Sequence, residues 1–280
     1  MAPYAVVLGV AQDGGHPQVG CTKSCCTPEK GRHLPASLGL VDPETGGRWM
    51  VDATPAFPEQ ASELGRLAPR TTGPLVDGIL LTHAHIGHYA GLVHLGREVM
   101  GADGVSVWAM PRMAGFLASN GPWSQLVALK NIVVTTVETT AKFGPFTATP
   151  LVVPHRDEFS ETVAWRIAGP EQTLLWLPDL DAWARWDRSL ADVLATVDVA
   201  YVDGTFFADG ELGRDMSEIP HPRVRETLAL VAKLPAAERA KVRFVHLNHT
   251  NPALDPTSAA YAEVLAGGAR VAIEGEKVPL

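Results

Sequence analysis

Cysteine is scarce in this 280-residue chain: three residues, all inside the stretch CTKSCC, as Cys21, Cys25 and Cys26. An odd, tightly grouped set makes a poor disulfide framework. Basic runs are missing as well. Lys and Arg number 23 against 31 Asp and Glu, for a formal net charge of -8. Phosphate polyanions are gripped by clustered Lys and Arg, so nucleic acid is disfavoured as a partner and a small-molecule substrate fits better. No uncharged apolar run approaches the roughly 18 residues of a transmembrane candidate, so no membrane partner is expected. The opening MAPYAVVLGV has neither a basic n-region nor a long apolar h-region. No signal peptide is therefore expected, and the chain reads as cytoplasmic. No linker, low-complexity tract, composition shift or internal repeat divides it either, so residues 1–280 read as a single domain, with homodimerisation left open.

What is present is a series of short runs rich in Val, Ile and Leu, separated by turns. YAVVLGV, ASLGLVD, RWMVDAT and GILLTHAH read as strands, several too uniformly apolar to carry a solvent face. SVWAM, NIVVTTV, FTATPLVVPH, TVAWRIAG, TLLWLPD, VRFVHLNH and ARVAIEG extend the series. Helices are expected over TPAFPEQASELGRLA, with Thr54 as N-cap, and over AGLVHLGREVMGA. Others are expected around Ala182–Thr196, Arg223–Leu234 and Ser258–Ala266. Strands first and a mixed pattern after, with helices in both halves, predict an α/β fold of two sheets sandwiched between helices.

The chemistry concentrates where apolar runs end. LTHAHIGHYAGL packs His83, His85 and His88 into H-x-H-x-x-H directly after GILL, where a strand leaves the core for a loop. Ordinary surface histidines are a poor account of three imidazoles at that place. LVVPHRDE ends a run at His155, TLLWLPDLD at Asp179 with Asp181 beyond it, and RFVHLNHTNP at His246 with His249 beyond it. Each repeats the first pattern and is a candidate metal ligand. Asp179 has an alternative use as a helix cap, a role that suits Asp181 better. The three cysteines read as three ligands of one tetrahedral, structural zinc that takes its fourth from elsewhere; incidental thiols are the bland alternative.

H-x-H-x-x-H after a strand, then a lone His, an Asp and a final His, resembles the metallo-β-lactamase superfamily. The implied fold is a four-layer αββα sandwich with a metal site at one edge. LGVAQDGGHPQVGC, the cysteine cluster, GLVHLGRE, VDGTFF and HLNHTNP look like its pyrroloquinoline quinone biosynthesis protein B branch. The full histidine set looks more like the hydrolytic relatives, such as the cyclic phosphodiesterase of phosphonate catabolism. By this resemblance a first metal takes His83, His85 and His155, Asp179 bridges, and a second metal takes His88 and His246. Zinc is expected first, with manganese or iron as alternatives. Water between two such cations is acidified enough to attack near neutral pH.

Gly87 departs from the pattern, since most of the superfamily has Asp there. The resemblance then leaves three outcomes: a second site completed by water, a replacement carboxylate from Asp13 or Asp181, or a single metal. It also implies His249 as the fourth ligand of the cysteine site, with His33 the competitor by proximity in sequence. His221, between prolines in IPHPRVRE, falls where hydrolytic relatives keep a histidine that protonates the leaving group; a turn histidine is the alternative. His16 and His94 read as structural. The expected function is a metal-dependent hydrolase of a small ester, lactone or phosphodiester. The alternative is a cofactor-pathway protein, either an iron-dependent oxidative enzyme or a quinone carrier, and a binding module with a vestigial site comes third.

Overall fold

The computed structural model describes residues 2–280, and among these the apolar runs resolve into two seven-stranded sheets. In chain order the first sheet takes β1 (Tyr4–Gly9), β2 (Ser37–Asp42), β3 (Gly47–Val51), β4 (Gly78–Leu80), β5 (Val105–Ala109) and β6 (Ile132–Thr136). The second takes β7 (Ala141–Phe143), β8 (Phe146–Val152), β9 (Val163–Ala168), β10 (Thr173–Leu177), β11 (Val199–Asp203), β12 (Val242–Val245) and β13 (Arg270–Val271). The last strand, β14 (Lys277–Pro279), returns to the first sheet beside β1. Each sheet changes character part-way across. β14, β1, β2 and β3 are antiparallel and β3 to β6 parallel; β7 to β10 are antiparallel and β10 to β13 parallel.

Parallel neighbours cannot be joined by a tight turn, so each such step carries a crossover with a helix. α1 (Phe57–Leu67) links β3 to β4, and α2 (Ile86–Tyr89) lies between β4 and β5. α3 (Pro111–Ser119) and α4 (Trp123–Ala128) precede β6. In the second sheet α5 (Leu190–Leu194), α6 (Val224–Val231), α7 (Ala236–Arg239) and α8 (Ala259–Ala266) serve the same purpose.

The period-two alternation of a strand sends neighbouring residues to different cores. Leu38 and Leu40 meet Trp165, Ile167 and Trp176 between the sheets. Val6, Val41 and Met50 point the other way, onto Phe57, Ala61 and Leu64 of α1. On the far side Leu175, Val202 and Phe244 pack against Val224, Leu228 and Val231 of α6. Three apolar layers thus bind four structural layers, each fully buried large side chain contributing about 1.5–3 kcal/mol. The αββα sandwich follows from strands apolar on both faces. No helix among the described residues is long and apolar enough to cross a membrane.

Several local expectations need correction. AGLVHLGREVMGA forms only a 3-10 turn, Ala90–Leu95, before the chain bends away. The helix expected around Ala182–Thr196 breaks into a 3-10 turn at Trp183–Arg185 and the short α5, because Ser189 accepts a bond from the Asp192 amide and starts a new helix there. Thr54 is not the N-cap of α1; Ala56 is, and the Thr54 hydroxyl accepts from the Ala56 amide at 3.1 Å while donating to Gln60 at 2.7 Å.

Candidate metal centre

Strand ends from both sheets come close together, and the polar residues that follow them meet. Past β4 come Thr82, His83 and His85, the last at the start of α2, which carries His88 on its buried side. His155 follows β8, Asp179 follows β10, and His246 directly follows β12. Four non-glycine residues among those described have left-handed backbones, and three lie here: Asp52 (φ 65°), His221 (φ 137°) and His246 (φ 63°). Such conformations cost roughly 1–3 kcal/mol each and persist where the surroundings over-determine them.

Two groups of nitrogen atoms converge on Asp179. His83, His85 and His155 place ligand atoms within 4.8 Å of one another, with His83 Nε2 2.8 Å from His85 Nδ1. On this side Asp179 Oδ1 stands 3.5 Å from His155 Nε2. On the other, Asp179 Oδ2 stands 3.1 Å from His88 Nε2 and 3.6 Å from His246 Nε2. The carboxylate therefore spans both groups. Asp13, arriving from the loop after β1, puts Oδ1 3.3 Å from His88 Nε2 and 3.2 Å from His246 Nε2. Asp181 lies elsewhere, beside His155 Nδ1 at 3.1 Å and paired with Arg185, so it is neither a helix cap nor a partner of His88.

The outer nitrogens are fixed by buried acceptors. A carboxylate can only accept, so His88 Nδ1 donates to Asp52 (2.8 Å) and His155 Nδ1 donates to Asp181. The Thr82 hydroxyl lies 2.9 Å from Asp52 and 2.9 Å from His83 Nδ1. Donating to the carboxylate, it must accept from His83. The Thr205 hydroxyl lies 3.0 Å from His246 Nδ1 and 3.2 Å from His221 Nδ1, and its amide donates to Asp203. These bonds set each ring so that its other nitrogen turns a lone pair inward, as outer partners do for ligating histidines. His88 Nε2, His155 Nε2 and Asp179 Oδ2 are buried and make no hydrogen bond of acceptable geometry. Orphaned lone pairs aimed at a common point are costly unless a cation receives them.

The charges agree. Burial pushes His83 well below the usual histidine range and His155 down to about 4, which keeps these rings neutral as ligation requires. Burial opposes a charge on His88, yet Asp179, Asp52 and Asp13 hold it well above that range. A proton on His88 offsets three carboxylates, work that a divalent cation does better. The residues present fit a divalent-metal centre.

His221 joins the same cluster, with His155 and Asp179 in reach, and its Nδ1 lies 2.7 Å from Asp203. Burial lowers its affinity for a proton, but the Asp203 charge and hydrogen bond outweigh this and raise its pKa. Away from the centre, Cys21, Cys25, Cys26 and His249 bring their ligand atoms within 4.8 Å of one another. Cys25 and Cys26 Sγ are 3.9 Å apart, close to the roughly 3.8 Å that two thiolates at about 2.3 Å from a tetrahedral zinc would show. Burial, and then the neighbouring thiols, push Cys25 up to about 11, so ionisation there needs a compensating cation. His249 Nδ1 is bonded to Asn248, which leaves Nε2 free. His33 stands apart: its backbone pairs with His16 and its ring lies 3.8 Å from Glu274. His16 Nε2 donates to the Cys25 carbonyl at 2.6 Å, and His94 stacks on Phe57.

All the proposed centre ligands are thus brought together, and the cysteines gather with His249 rather than His33. Sequence reasoning missed Asp52, Thr82, Asp203 and Thr205. Asp52 and Asp203 each end a strand in the sequence V-D-x-T, a pattern that does not by itself mark them out from other acids at strand ends.

Known proteins resemble this chain over most of its length. A family model described as the beta-lactamase superfamily domain matches residues 48–247. The coenzyme PQQ synthesis protein B of Xanthomonas euvesicatoria is 28% identical, over 98% of this chain and 99% of its own. That of Klebsiella pneumoniae (strain 342) is 27% identical, over 99% and 98%. The crystal structure of Zn(2+)-bound PqqB from Methylobacterium extorquens superposes with a TM-score of 0.81 at 22% identity, over 99% of this chain and 100% of that one. A diphosphatase from the PhnP family superposes with a TM-score of 0.71 at 20% identity, over 99% and 97%.

Proposed function

Since the chain belongs to the beta-lactamase superfamily, we propose that it is a metal-dependent hydrolase of a small ester or phosphodiester, built as one domain with an N-terminal zinc loop. The observation that carries this reading is the position of Asp179, spanning two sets of inward-turned imidazoles. His83, His85 and His155 would hold one divalent cation, His88 and His246 a second, with Asp179 shared; zinc is the first choice and manganese or iron the alternatives. Bound there, the cations supply an acidified water and Lewis-acid activation of the scissile oxygen. The chain's own contribution is orientation and proton supply. Asp52 and Thr82 aim His88 and His83, and Asp203 keeps a proton on His221 beside the cluster. A leaving alkoxide needs that proton, whereas a carrier has no use for it.

Cys21, Cys25, Cys26 and His249 would hold a structural zinc with a closed shell. A second reading, a role in coenzyme PQQ synthesis, is favoured by full-length similarity to proteins of that name. The deciding experiment is metal analysis of protein purified without chelators, followed by assay on nitrophenyl esters, nitrophenyl phosphodiesters and lactones. Zinc or manganese with chelator-sensitive turnover supports hydrolysis. Redox-active iron with no turnover on any of these substrates overturns it in favour of the second reading.

A further inference from the structure

Gly87 has no conformational reason to be glycine. It is the second residue of the short α2 and its φ lies outside the left-handed region, so its backbone does not require glycine. Space supplies the reason. A Cβ built at residue 87 would lie 2.0 Å from Asp13 Oδ1, 2.2 Å from its Cγ and 2.7 Å from its Cβ. The Asp13 side chain occupies the volume that a side chain at 87 would fill.

Asp13 is held there by its backbone. Leu247 N donates to Val10 at 2.9 Å and Gln12 N to Leu247 at 2.8 Å, so this segment runs alongside the strand end that carries His246. Gly15 N then closes a tight turn onto the Gln12 carbonyl at 2.7 Å, its φ of +67° suiting glycine, and the turn presents Asp13 inward. The result is one carboxylate oxygen between His88 Nε2 and His246 Nε2. We propose that Asp13 is the anionic ligand of the second cation, delivered by the β1 loop through the space that Gly87 leaves open. The proposal rests on the reading of the centre as a two-cation site.

It predicts that the carboxylate can be exchanged between the two positions. The test uses the full chain and the variants Asp13→Gly, Asp13→Asn, Gly87→Asp and Asp13→Gly/Gly87→Asp. Each is stripped of metal, titrated with Co(II) and Zn(II), and checked by thermal melting; the thiolate–cobalt charge-transfer band reports the cysteine site separately. Asp13→Gly should weaken the second centre cation at least about 100-fold, the upper end of what losing even an outer-shell partner costs. The first centre cation and the cysteine site should be unchanged. Asp13→Asn, which keeps the shape and so guards against a folding artefact, should show the same selective loss. Gly87→Asp alone should lower the melting temperature, because it must displace Asp13, and the double variant should regain both stability and most of the lost affinity. Two centre cations held equally well by wild type, Asp13→Gly and Asp13→Asn would overturn the proposal and leave the two-cation reading standing. A wild type that takes one centre cation or none would overturn the proposal together with the two-cation reading.

Discussion

The histidine centre and the cysteine cluster each bring candidate ligand atoms within a few ångströms of one another, yet the protein holds them in different ways. Four of the centre's five inward-turned imidazoles are braced from behind by groups on the protein's interior side, His88 by Asp52, His83 by Thr82, His155 by Asp181 and His246 by Thr205, while His85 leans on the exposed Glu158. The braces stand on strand ends, and Asp52 and Asp203 are wholly buried. The cysteines sit in a loop whose only regular structure is two short 3-10 turns, Ser24–Cys26 and Pro28–Lys30, and all three are only partly buried. Their supports are few, chiefly the His16 bond to the Cys25 carbonyl and short turn bonds such as Cys26 N to Lys23 O. A centre that must act on a substrate has its ligand directions set by the fold. A cluster that only joins a loop to a strand end can leave that work to its ion, since a structural zinc contributes folding energy itself.

The strongest way to break this contrast is to remove a centre ligand. His83→Ala or His85→Ala should reduce turnover to background and strip the centre of metal. The melting temperature should move little, because the braces and the apolar layers remain. Metal content, turnover and a thermal melt on the same preparation decide the matter. Near wild-type turnover in either variant would end the metal reading of that motif.

That motif was the most legible part of the chain. Three histidines after an apolar strand announce ligands, and a strand apolar on both faces announces an inner sheet; both are local patterns. The braces were hard to see because their meaning is not local. Asp52 is 36 residues from His88 and Asp203 is 18 from His221, and neither looks different from any acid at a strand end. Asp13 shows the same limit from the other direction. The sequence offers Asp13 only as one of two replacement carboxylates for Gly87, beside Asp181, and its neighbours AQDGGH do not decide between them. β1 and β4 run the same way within one sheet, so the segments that follow them, carrying Asp13 and Gly87, share one edge. Secondary structure failed where one residue decided it, as at Ser189, whose capping bond cut a long expected helix to a single turn.

A smaller effect sharpens the contrast within the centre, between groups that hold metal and one that holds a proton. His221→Ala should keep its metal but lose about 100-fold or more in turnover on esters with poor leaving groups, within the usual range for general acid catalysis. An activated nitrophenyl substrate, which leaves without protonation, should be affected far less. The pH profile separates the roles further. The folded pKa of His221 is raised, chiefly by Asp203 acting against burial. The protonated form is therefore present below that value and lost as pH rises through it. Asp203→Asn should move the alkaline fall in turnover to lower pH. A uniform loss across leaving groups with an unmoved profile would make His221 a structural residue.

The smallest expected effect tests whether the two regions communicate. His249 and His246 are three residues apart in HLNHT, one in each cluster, and Asn248 between them donates its backbone amide to Thr205, the brace of His246. Fixing His249 in a zinc shell thus limits the freedom of the segment that aims His246. His249→Ala should lower the melting temperature by several degrees, given about 2–4 °C per kcal/mol in a chain near this size. It should also weaken the centre's metal by about tenfold or less, the low end for an outer-shell change. His33→Ala is the matched control. Its ring lies 3.8 Å from Glu274 and packs tilted beside the His16 ring, and its pairing with the His16 backbone uses atoms that alanine keeps. It should change neither quantity. Equal melting and equal metal affinity in the two variants would mean that the cysteine cluster is incidental to the centre. A large loss in His33→Ala alone would move the fourth zinc ligand to that residue, and with it the tether between the loop and the strand end.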